Sequence, residues 1–284
     1  MNFLSYTHPV LSCREAKVLE SCVLVDEAAE WAAMKLAGQG IAKHLVQDYS
    51  ELCPSPEYLR ILALIGKGNN GGDALIACGQ LLADFPRARV ELILTLPAEE
   101  LRPLAARALQ QLEGRVEVHQ ISDQNDVSEI TQMLSDAAGS EGFHICIDGL
   151  LGMAFSPPLC APIATLIEAV NTFEAIDLRA SVDLPSGKGD GVKDGTISFQ
   201  ADFTYATGIA KKPIFKGIAE CGRIRYIDLG FFEAHQMEAI QAKESILTSA
   251  VLDPIQCLRP AAVDKRAFGH LFIVGGSAYM PGAL

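Results

Sequence analysis

The stretch that most constrains the fold is a glycine-rich segment between an apolar run and a helical run. Residues 59–65 have the composition of a buried strand, residues 66–73 read Gly-Lys-Gly-Asn-Asn-Gly-Gly-Asp, and residues 74–82 have helical character. Glycines let a ligand approach the backbone closely, and the free N–H groups at a helix start attract negative charge. The segment therefore predicts an anion site, with the rest of the chain supplying other parts of one pocket.

The alternation of apolar and helical runs continues over most of the chain. A helical segment from Ser12 to about Tyr49 opens with a Ser12/Glu15 capping box. Strand-like runs follow at residues 59–65, 90–96, 116–121, 143–147, 180–184, 203–206 and 223–229, with helical runs at 74–84, 98–112, 127–138 and 159–170. This pattern predicts an α/β fold with a mainly parallel sheet and helices on both faces.

Charge and composition exclude several classes of protein. The 284 residues include 23 basic and 35 acidic side chains, a net charge of -12, which disfavours non-specific binding to nucleic acid or to an anionic membrane. No signal peptide and no apolar run of membrane-spanning length is visible. None of the eight cysteines forms a C-x-x-C pair, so we expect reduced thiols in a cytoplasmic protein.

Polar residues follow three of the predicted strands, where ligands bind in parallel sheets. Asn69 and Asn70 lie in the first of these loops, Asp148 begins the second and Ser186 lies in the third. Amide, carboxylate and hydroxyl oxygens suit an alkali or alkaline-earth cation, and with one firm carboxylate a monovalent ion competes with magnesium. The alternative stays open that Asp148 caps a turn and Ser186 makes a local turn bond.

Two further carboxylates could be functional or structural. Asp183 precedes a turn forced by proline and glycine, and it could bond ligand hydroxyls, act as a general acid or base, or only stabilise that turn. Asp73 could bind a ligand or complement a helix dipole. The chain lacks G-x-G-x-x-G spacing, a P-loop ending in Gly-Lys-Ser/Thr, G-x-S-x-G and histidine ligand spacing. A standard dehydrogenase, an NTPase and a covalent nucleophile are therefore disfavoured.

Three ordered motifs carry a resemblance to a known family. Residues 66–73 resemble the GxGNNGGDG signature of the NAD(P)H-hydrate epimerases, the YjeF N-terminal family. Residues 148–152 are similar to its D-(A/G)-L-x-G loop, and residues 182–187 to its (V/I)-D-(I/L)-P-S-G motif. Residues 34–38 resemble its L-M-x-x-A-G segment, so the resemblance spans about residues 10 to 230.

The resemblance implies a fold and a reaction. The fold would be a Rossmann-like three-layer sandwich. The protein would be a cytoplasmic isomerase that interconverts the R and S forms of hydrated NADH and NADPH (NADHX and NADPHX) in metabolite repair, with a potassium ion as cofactor. It would act beside an ADP-dependent dehydratase that consumes the S form. The preferred hydrate and the number of subunits do not follow from the sequence, so a homo-oligomer is left open.

The resemblance also assigns residues to roles. Asp183 would bind substrate and act as the acid/base group near the ring hydroxyl. Potassium would be held by Asn70, Asp148 and Ser186. The remaining substrate-binding residues would be Asn69, Asn70, Gly71, Gly72, Asp73, Gly152, Met153, Ala154, Phe155, Ser156, Pro157 and Pro158.

The expected domain plan has three parts, and the motifs show departures from the family pattern. We expect an epimerase domain over residues 1–235, a polar helical connector over 236–258 and, from Arg259, the truncated start of a dehydratase domain without activity of its own. Ala74 stands where the family has Gly. Met153 replaces a common Thr, which is expected to weaken phosphate binding. A non-catalytic nucleotide-binding or interaction module of the same fold is the competing interpretation.

Overall fold

The computed structural model describes residues 6–54, 56–193, 195–232 and 242–253. His8–Ile246 forms one compact unit, and a second unit comprises Met1–Thr7 with Leu247–Leu284. In the second unit the backbone N–H and hydroxyl of Thr248 donate to the Tyr6 carbonyl at 2.9 and 3.2 Å, and residues Ser249–Leu252 form a 3-10 helix. The site residues discussed below belong to the first unit.

The main sheet has seven parallel strands. The first strand along the described residues is β1, at Thr7–Leu11. The strands of the main sheet are β2 (Arg60–Ile65), β3 (Arg89–Leu94), β4 (Glu117–Gln120), β5 (Phe143–Gly149), β6 (Ile176–Val182), β7 (Phe203–Thr207) and β9 (Arg223–Ile227). The described residues also include two short strands, β8 (Ala210–Lys211) and β10 (Ser245–Leu247). The order of the strands across the main sheet is β4-β3-β2-β5-β6-β7-β9.

Helices cover both faces of the main sheet. They are α1 (Cys13–Val23), α2 (Glu27–Leu52), α3 (Asn69–Asp84), α4 (Pro103–Gln110), α5 (Val127–Ala138), α6 (Ala161–Thr172), α7 (Lys212–Lys216) and α8 (Ile218–Cys221). Alternate residues of β2 face opposite layers. Ile61 and Ile65 pack with residues of α2, α3 and α4, whereas Leu62 and Leu64 pack with residues of α5 and α6. The predicted α/β architecture with helices on both faces is confirmed.

A small second sheet brings the start of the chain beside the site. β1 pairs in parallel with β8, with Val10 opposite Ala210 and Leu11 opposite Lys211. The Val10 N–H also donates to the Glu244 carbonyl at 2.9 Å. This pairing places the first residues of α1 next to the carboxyl end of the main sheet, because β8 follows β7 directly.

Several element boundaries differ from the sequence-based expectation. The helical segment over 12–49 is two helices, and Asp26 caps the second by accepting from the Ala29 N–H at 2.8 Å. The helix over 98–112 begins with a 3-10 turn and becomes α4 at Pro103. The helical connector was wrong for residues 245–247, which form β10. The predicted dehydratase start from Arg259 lies outside the described residues.

Other expectations can be compared directly with the described residues. The capping box is present: Ser12 Oγ accepts from the Glu15 N–H, and the Glu15 carboxylate accepts from the Ser12 N–H. The seven cysteines that the structure describes are all free thiols, and Cys257 lies outside those ranges. Over the same ranges, no helix combines the length and apolar character needed to cross a membrane.

Candidate functional site

The glycine-rich segment lies where β2 meets α3. Contrary to the predicted helix start at Ala74, α3 begins at Asn69, so the two asparagines occupy its first turn. Gly66 lies against the loop after β5: a Cβ there would be 1.8 Å from the Leu150 carbonyl oxygen, and the Gly66 N–H donates to the Gly149 carbonyl at 3.1 Å. The turn therefore passes too close to the neighbouring loop for any side chain at this position.

The three predicted cation ligands come together around the loop after β5. Ser186 Oγ donates to Asp148 Oδ1 at 2.6 Å. The Asn70 amide donates to the Leu151 carbonyl at 3.1 Å and to the Val182 carbonyl at 2.8 Å. The Leu151 N–H donates to Ser186 Oγ at 2.9 Å. Side chains that follow β2 and β6 and one at the end of β5 thus converge on a small group of oxygen atoms.

Asp148 is a fully buried carboxylate surrounded by hydrogen-bond donors. It accepts from the Leu150 N–H at 3.2 Å, the Ser181 hydroxyl at 3.0 Å and the Ser186 N–H at 2.8 Å. Burial raises the pKa of Asp148 to about 6, although these donors act in the opposite direction. Among the described residues, no basic side chain forms an ion pair with it. The Leu150 bond is the turn contact that the sequence left open as an alternative role.

Asp183 adopts a backbone conformation that is rare for a residue with a side chain. Its φ is 65°, in the left-handed region. Its N–H donates to the Tyr205 carbonyl at 2.9 Å, and the Leu184 N–H donates to the Val182 carbonyl at 2.7 Å, which closes a tight turn centred on Asp183. Such a conformation costs about 1–3 kcal/mol and persists where the surroundings fix it, often at functional sites.

A buried lysine holds the Asp183 carboxylate. Lys211 Nζ donates to Asp183 Oδ1 at 2.5 Å and to the Thr207 carbonyl at 3.2 Å. Glu20 Oε1 of α1 lies 3.9 Å from the same Nζ. Burial lowers the pKa of Lys211, but the charges of Asp183 and Glu20 outweigh burial and raise it. The pair is therefore a charged carboxylate–ammonium contact in the interior.

The charge of Lys211 also acts on two other carboxyl groups, those of Asp73 and Glu20. Burial, Asp183 and Glu20 raise the pKa of Asp73 well above its ordinary value, against the opposing charge of Lys211. Burial also raises the pKa of Glu20 to about 7, with Lys211 acting in the opposite direction. Asp73 therefore keeps its proton to a higher pH than an ordinary aspartate does, and in that protonated form it can donate a hydrogen bond.

Two cavities that share lining residues lie at the carboxyl end of the sheet. The larger has a volume of about 620 Å³ and is lined by residues of α1, by Lys67, Gly68, Asn69 and Asn70, and by the loop after β5. The smaller, of about 80 Å³, is lined by Asp73, Asp183 and Thr207. Both cavities are lined by Glu20, Leu24, Glu30, Asn69, Asn70 and Met153. A cavity of about 790 Å³ beside β3 and β4 contains none of the predicted site residues.

The predicted substrate loop after β5 divides into a part that lines the larger cavity and a part that does not. Gly152, Met153, Ala154 and Phe155 line the cavity. Ser156, Pro157 and Pro158 are exposed and line neither cavity. Gly71 and Gly72 are buried within the first turn of α3, and a Cβ on Gly71 would lie 2.3 Å from the Gly66 carbonyl oxygen. These two glycines therefore shape the turn rather than line the cavity.

The two departures from the family motifs have structural neighbours. A Cβ on Gly149 would lie 2.6 Å from the Ala74 side chain, so the methyl group of Ala74 occupies space beside a glycine. Met153 is half-buried and packs against apolar clusters that include Leu11 and Leu184. The expectation that Met153 weakens phosphate binding stays a prediction.

Glu20 and Lys211 were not predicted as site residues. Lys211 follows the Phe203–Thr207 strand, so its place after a strand was a signal. Glu20 lies on a helix that precedes every motif, and only the pairing of β1 with β8 brings that helix to the strand ends. No spacing rule in the sequence connects the two residues.

The part of the chain that contains the predicted site residues matches a known protein family. The family described as YjeF-related protein N-terminus matches residues 31–213. The chain belongs to this family. The matched range contains the loops after β2, β5 and β6 and every predicted site residue, but it does not reach Glu20. Membership agrees with the motifs that lie at those strand ends.

Curated relatives of this family have related names. The chain is 27% identical over 285 residues to the bifunctional NAD(P)H-hydrate repair enzyme Nnr of Gloeobacter violaceus, covering 96% of this chain and 51% of that protein. It is 29% identical to an NAD(P)H-hydrate epimerase of Rhodopirellula baltica, covering 78% and 84%. For an NAD(P)H-hydrate epimerase of Elusimicrobium minutum the identity is 30%, covering 69% and 84%. The chain thus spans about half the length of the bifunctional relative.

A solved structure supports the fold. The crystal structure of yeast ynu0, YNL200c, is similar with a TM-score of 0.59 and 21% sequence identity, covering 77% of this chain and 87% of the yeast chain. The Rossmann-like parallel sheet predicted from the family resemblance is confirmed by this likeness and by the strand order of the main sheet.

Proposed function

We propose that this chain is an NAD(P)H-hydrate epimerase, which interconverts the R and S forms of hydrated NADH and NADPH. The observation that carries the proposal is the buried Asp183–Lys211 pair, 2.5 Å apart at the carboxyl end of the parallel sheet. Asp183 lines a cavity together with Asn69 and Asn70, where α3 begins. An anion-binding helix start beside a proton-transfer group suits a substrate with phosphates and a reacting hydroxyl.

The start of α3 would hold the substrate phosphates. Lys67 and Arg102 line the same large cavity, and the Arg102 N–H donates to the Lys67 carbonyl at 3.0 Å, which joins the two segments that carry them. These side chains bring positive charge to the cavity of a protein whose net charge is -12. The ribose and ring would extend toward Asp73 and Asp183, which line the smaller cavity.

Asp183 would carry out proton transfer at the ring hydroxyl. After taking a proton from Lys211, it gives that proton to the hydroxyl, the carbon–oxygen bond breaks with its electron pair on oxygen, and water leaves while the ring nitrogen takes up positive charge. Water then adds to the opposite face and loses a proton. Atoms and charge balance over the cycle, and only the configuration at the carbon changes. A neighbouring Lys211 supplies the mobile proton within hydrogen-bond reach.

The oxygen atoms around Asn70, Asp148 and Ser186 fit a potassium ion chemically. The Asp148 carboxylate is buried, no basic side chain in the described part of the chain forms an ion pair with it, and a monovalent cation would offset its charge. The carbonyls of Leu151 and Val182 lie within hydrogen-bond distance of the Asn70 amide and would add neutral oxygen ligands. The ion would supply positive charge near the substrate phosphates. Asn70, Asp148 and Ser186 would hold it.

The proposal has a direct test. Pure R-form hydrate is supplied with an excess of a separate ADP-dependent dehydratase that consumes only the S form, in potassium or in sodium buffer. We expect this chain to accelerate consumption above the spontaneous rate, and more strongly in potassium. Equal rates with and without the chain would leave the non-catalytic module of the same fold as the better interpretation. Equal rates in the two salts would remove potassium alone from the proposal.

A further inference from the structure

The carboxylate of Glu20 stands between the buried pair and the open cavity. Its side chain is 21% exposed, whereas those of Lys211 and Asp183 are 1% and 6% exposed. Glu20 lines both the small cavity that contains Asp183 and the large cavity that is open to solvent. It is thus the most solvent-accessible of the three groups, and its Oε1 is 3.9 Å from Lys211 Nζ.

The proposed reaction needs a route by which Asp183 can regain a proton from solvent. One carboxyl group can face only one side of a ring, so the proton that Asp183 gives to the leaving hydroxyl is not returned by the water that adds on the other side. Asp183 must regain a proton before the next turnover. Lys211 is in contact with Asp183 but is almost completely buried, so it cannot exchange protons with solvent directly.

We propose that Glu20 is the group through which Lys211 and Asp183 exchange protons with solvent. The Lys211 ammonium passes a proton to Asp183, Glu20 then passes one to the neutral Lys211 amine, and Glu20 is protonated again from the cavity. Each transfer moves a proton without its bonding electrons and leaves the heavy atoms in place. The proposal rests on the proposed epimerase function, because only that reaction uses the proton. In this proposal Glu20 acts on the reaction through Lys211 and does not contact the substrate, so it is a positioning residue.

The charges that face Glu20 are consistent with this task. Lys211 of β8 and Asp183 after β6 act on it most directly, with Asp73 of α3 in the same small cavity. Glu30 of α2 lines both cavities as well, and Lys17 of α1 lines the larger one. Burial raises the pKa of Glu20 to about 7, so both protonation states are populated near neutral pH. A group that must both take and give protons works best under that condition.

The activity test compares Glu20→Gln with Glu30→Gln, a matched change in a carboxylate of the same cavities that has no ion pair with Lys211 among the described residues. In dilute buffer we expect Glu20→Gln to lower kcat about tenfold, less than the loss of a direct proton-transfer group, with KM unchanged. Added acetate or imidazole restores kcat in the Glu20 variant only. Unchanged kcat, a change confined to KM, or equal rescue of both variants overturns the proposal.

A second measurement does not depend on catalysis. Infrared difference spectra of the wild type minus Glu20→Gln, recorded across pH, isolate the Glu20 carboxyl. We expect it to titrate near pH 7 and to change when Lys211 is replaced in Lys211→Met. If Glu20 titrates at the ordinary pKa of a glutamate, or if its titration is unchanged in Lys211→Met, the proposed proton exchange between Glu20 and Lys211 is wrong. If the wild type has no epimerase activity, the proposed function fails and these spectra still decide whether Glu20 and Lys211 are coupled.

Discussion

Asp183 is the residue at which strain, burial and charge coincide. Its positive φ is unfavourable, its carboxylate is almost completely buried, and its charge is matched by a lysine that is equally buried. A buried ion pair of this kind adds little net stability compared with apolar residues, but breaking it leaves an uncompensated charge. A residue that served only to stabilise a turn would be better replaced by glycine. The combination therefore favours the functional interpretation over the turn-stabilising one.

Asp183 and Asp73 should respond differently to removal of their charge. We predict that Asp183→Asn lowers kcat by about 10²–10⁴ while substrate binding, measured by calorimetry, stays within about threefold, because the amide keeps the shape but cannot transfer a proton. Asp73→Asn should lower kcat by less than about tenfold, since the raised pKa of Asp73 favours the protonated carboxyl group, which like an amide can donate a hydrogen bond. The coupled dehydratase assay measures both. Full activity of Asp183→Asn would refute its acid/base role.

The residues of the site differ in how far the sequence reveals them. Asp148, Asp183 and Ser186 could be predicted to lie together because the carboxyl ends of adjacent parallel strands meet at one edge of the sheet. Glu20 and Lys211 could not, because their contact depends on β8, a strand of two residues that carries no periodic pattern. The pKa of Asp73 also could not be predicted, because it depends on burial and on two carboxylates distant in sequence.

At the scale of elements, the beginning of α3 shows how packing overrides local propensity. Two asparagines and two glycines are poor helix formers, which is why the sequence predicted a loop there. The absence of side chains on Gly66 and Gly71 instead lets the first turn lie directly against the end of β2. The strands and the helix layers could be predicted because they follow from apolar periodicity, whereas this start depends on contacts between segments.

Glycine-to-alanine substitutions in this turn should show which glycine is required because a neighbouring segment packs against it. We predict that Gly66→Ala lowers the free energy of unfolding by about 3 kcal/mol, because its Cβ would overlap the Leu150 carbonyl oxygen. Gly68→Ala is the control, since its Cβ would meet nothing within 4 Å and its φ is -103°. We expect a loss of at most about 1 kcal/mol there. Urea unfolding measures both, and equal losses would contradict the predicted contact.

An ion pair between buried Asp48 and half-exposed Arg225 joins α2 to the β9 edge of the main sheet. Asp48 is 1% exposed and accepts from the Tyr205 hydroxyl at 3.0 Å and from Arg225 Nε at 2.9 Å. We predict that Arg225→Met lowers the free energy of unfolding by about 3 kcal/mol, because it leaves the Asp48 charge buried. Arg223→Met removes a similar contact with the Phe203 ring but no ion pair, and should cost less than about 1 kcal/mol. Equal losses of unfolding free energy in the two variants would argue that the Asp48–Arg225 ion pair does not stabilise the fold.

At the scale of the whole molecule, the acidic chain folds with several of its carboxyl groups inside. Burial raises the pKa values of Glu20, Asp73 and Asp148, so each group is easier to ionise in the unfolded chain than in the folded one. The folded state therefore retains protons that the unfolded state releases as pH rises. Folding and the proposed proton chemistry thus depend on the same buried groups, and the contribution of these three groups to the free energy of unfolding should fall as pH rises from mildly acidic to neutral.

The contribution of Glu20 can be isolated. The ordinary pKa of a glutamate is 4.5, and below that pH Glu20 is protonated in both the folded and the unfolded state. Above about pH 7 it is ionised in both states. Between these limits only the unfolded state loses the proton, so the wild type should lose about 3 kcal/mol of unfolding free energy relative to Glu20→Gln. Glu15→Gln on the same helix should show the opposite sign, because capping bonds with Ser12 lower the pKa of Glu15. Urea unfolding from pH 4 to pH 8 measures both differences. A pH-independent difference for Glu20→Gln would mean that burial does not hold a proton on Glu20, and would remove the basis for its exchange with Lys211.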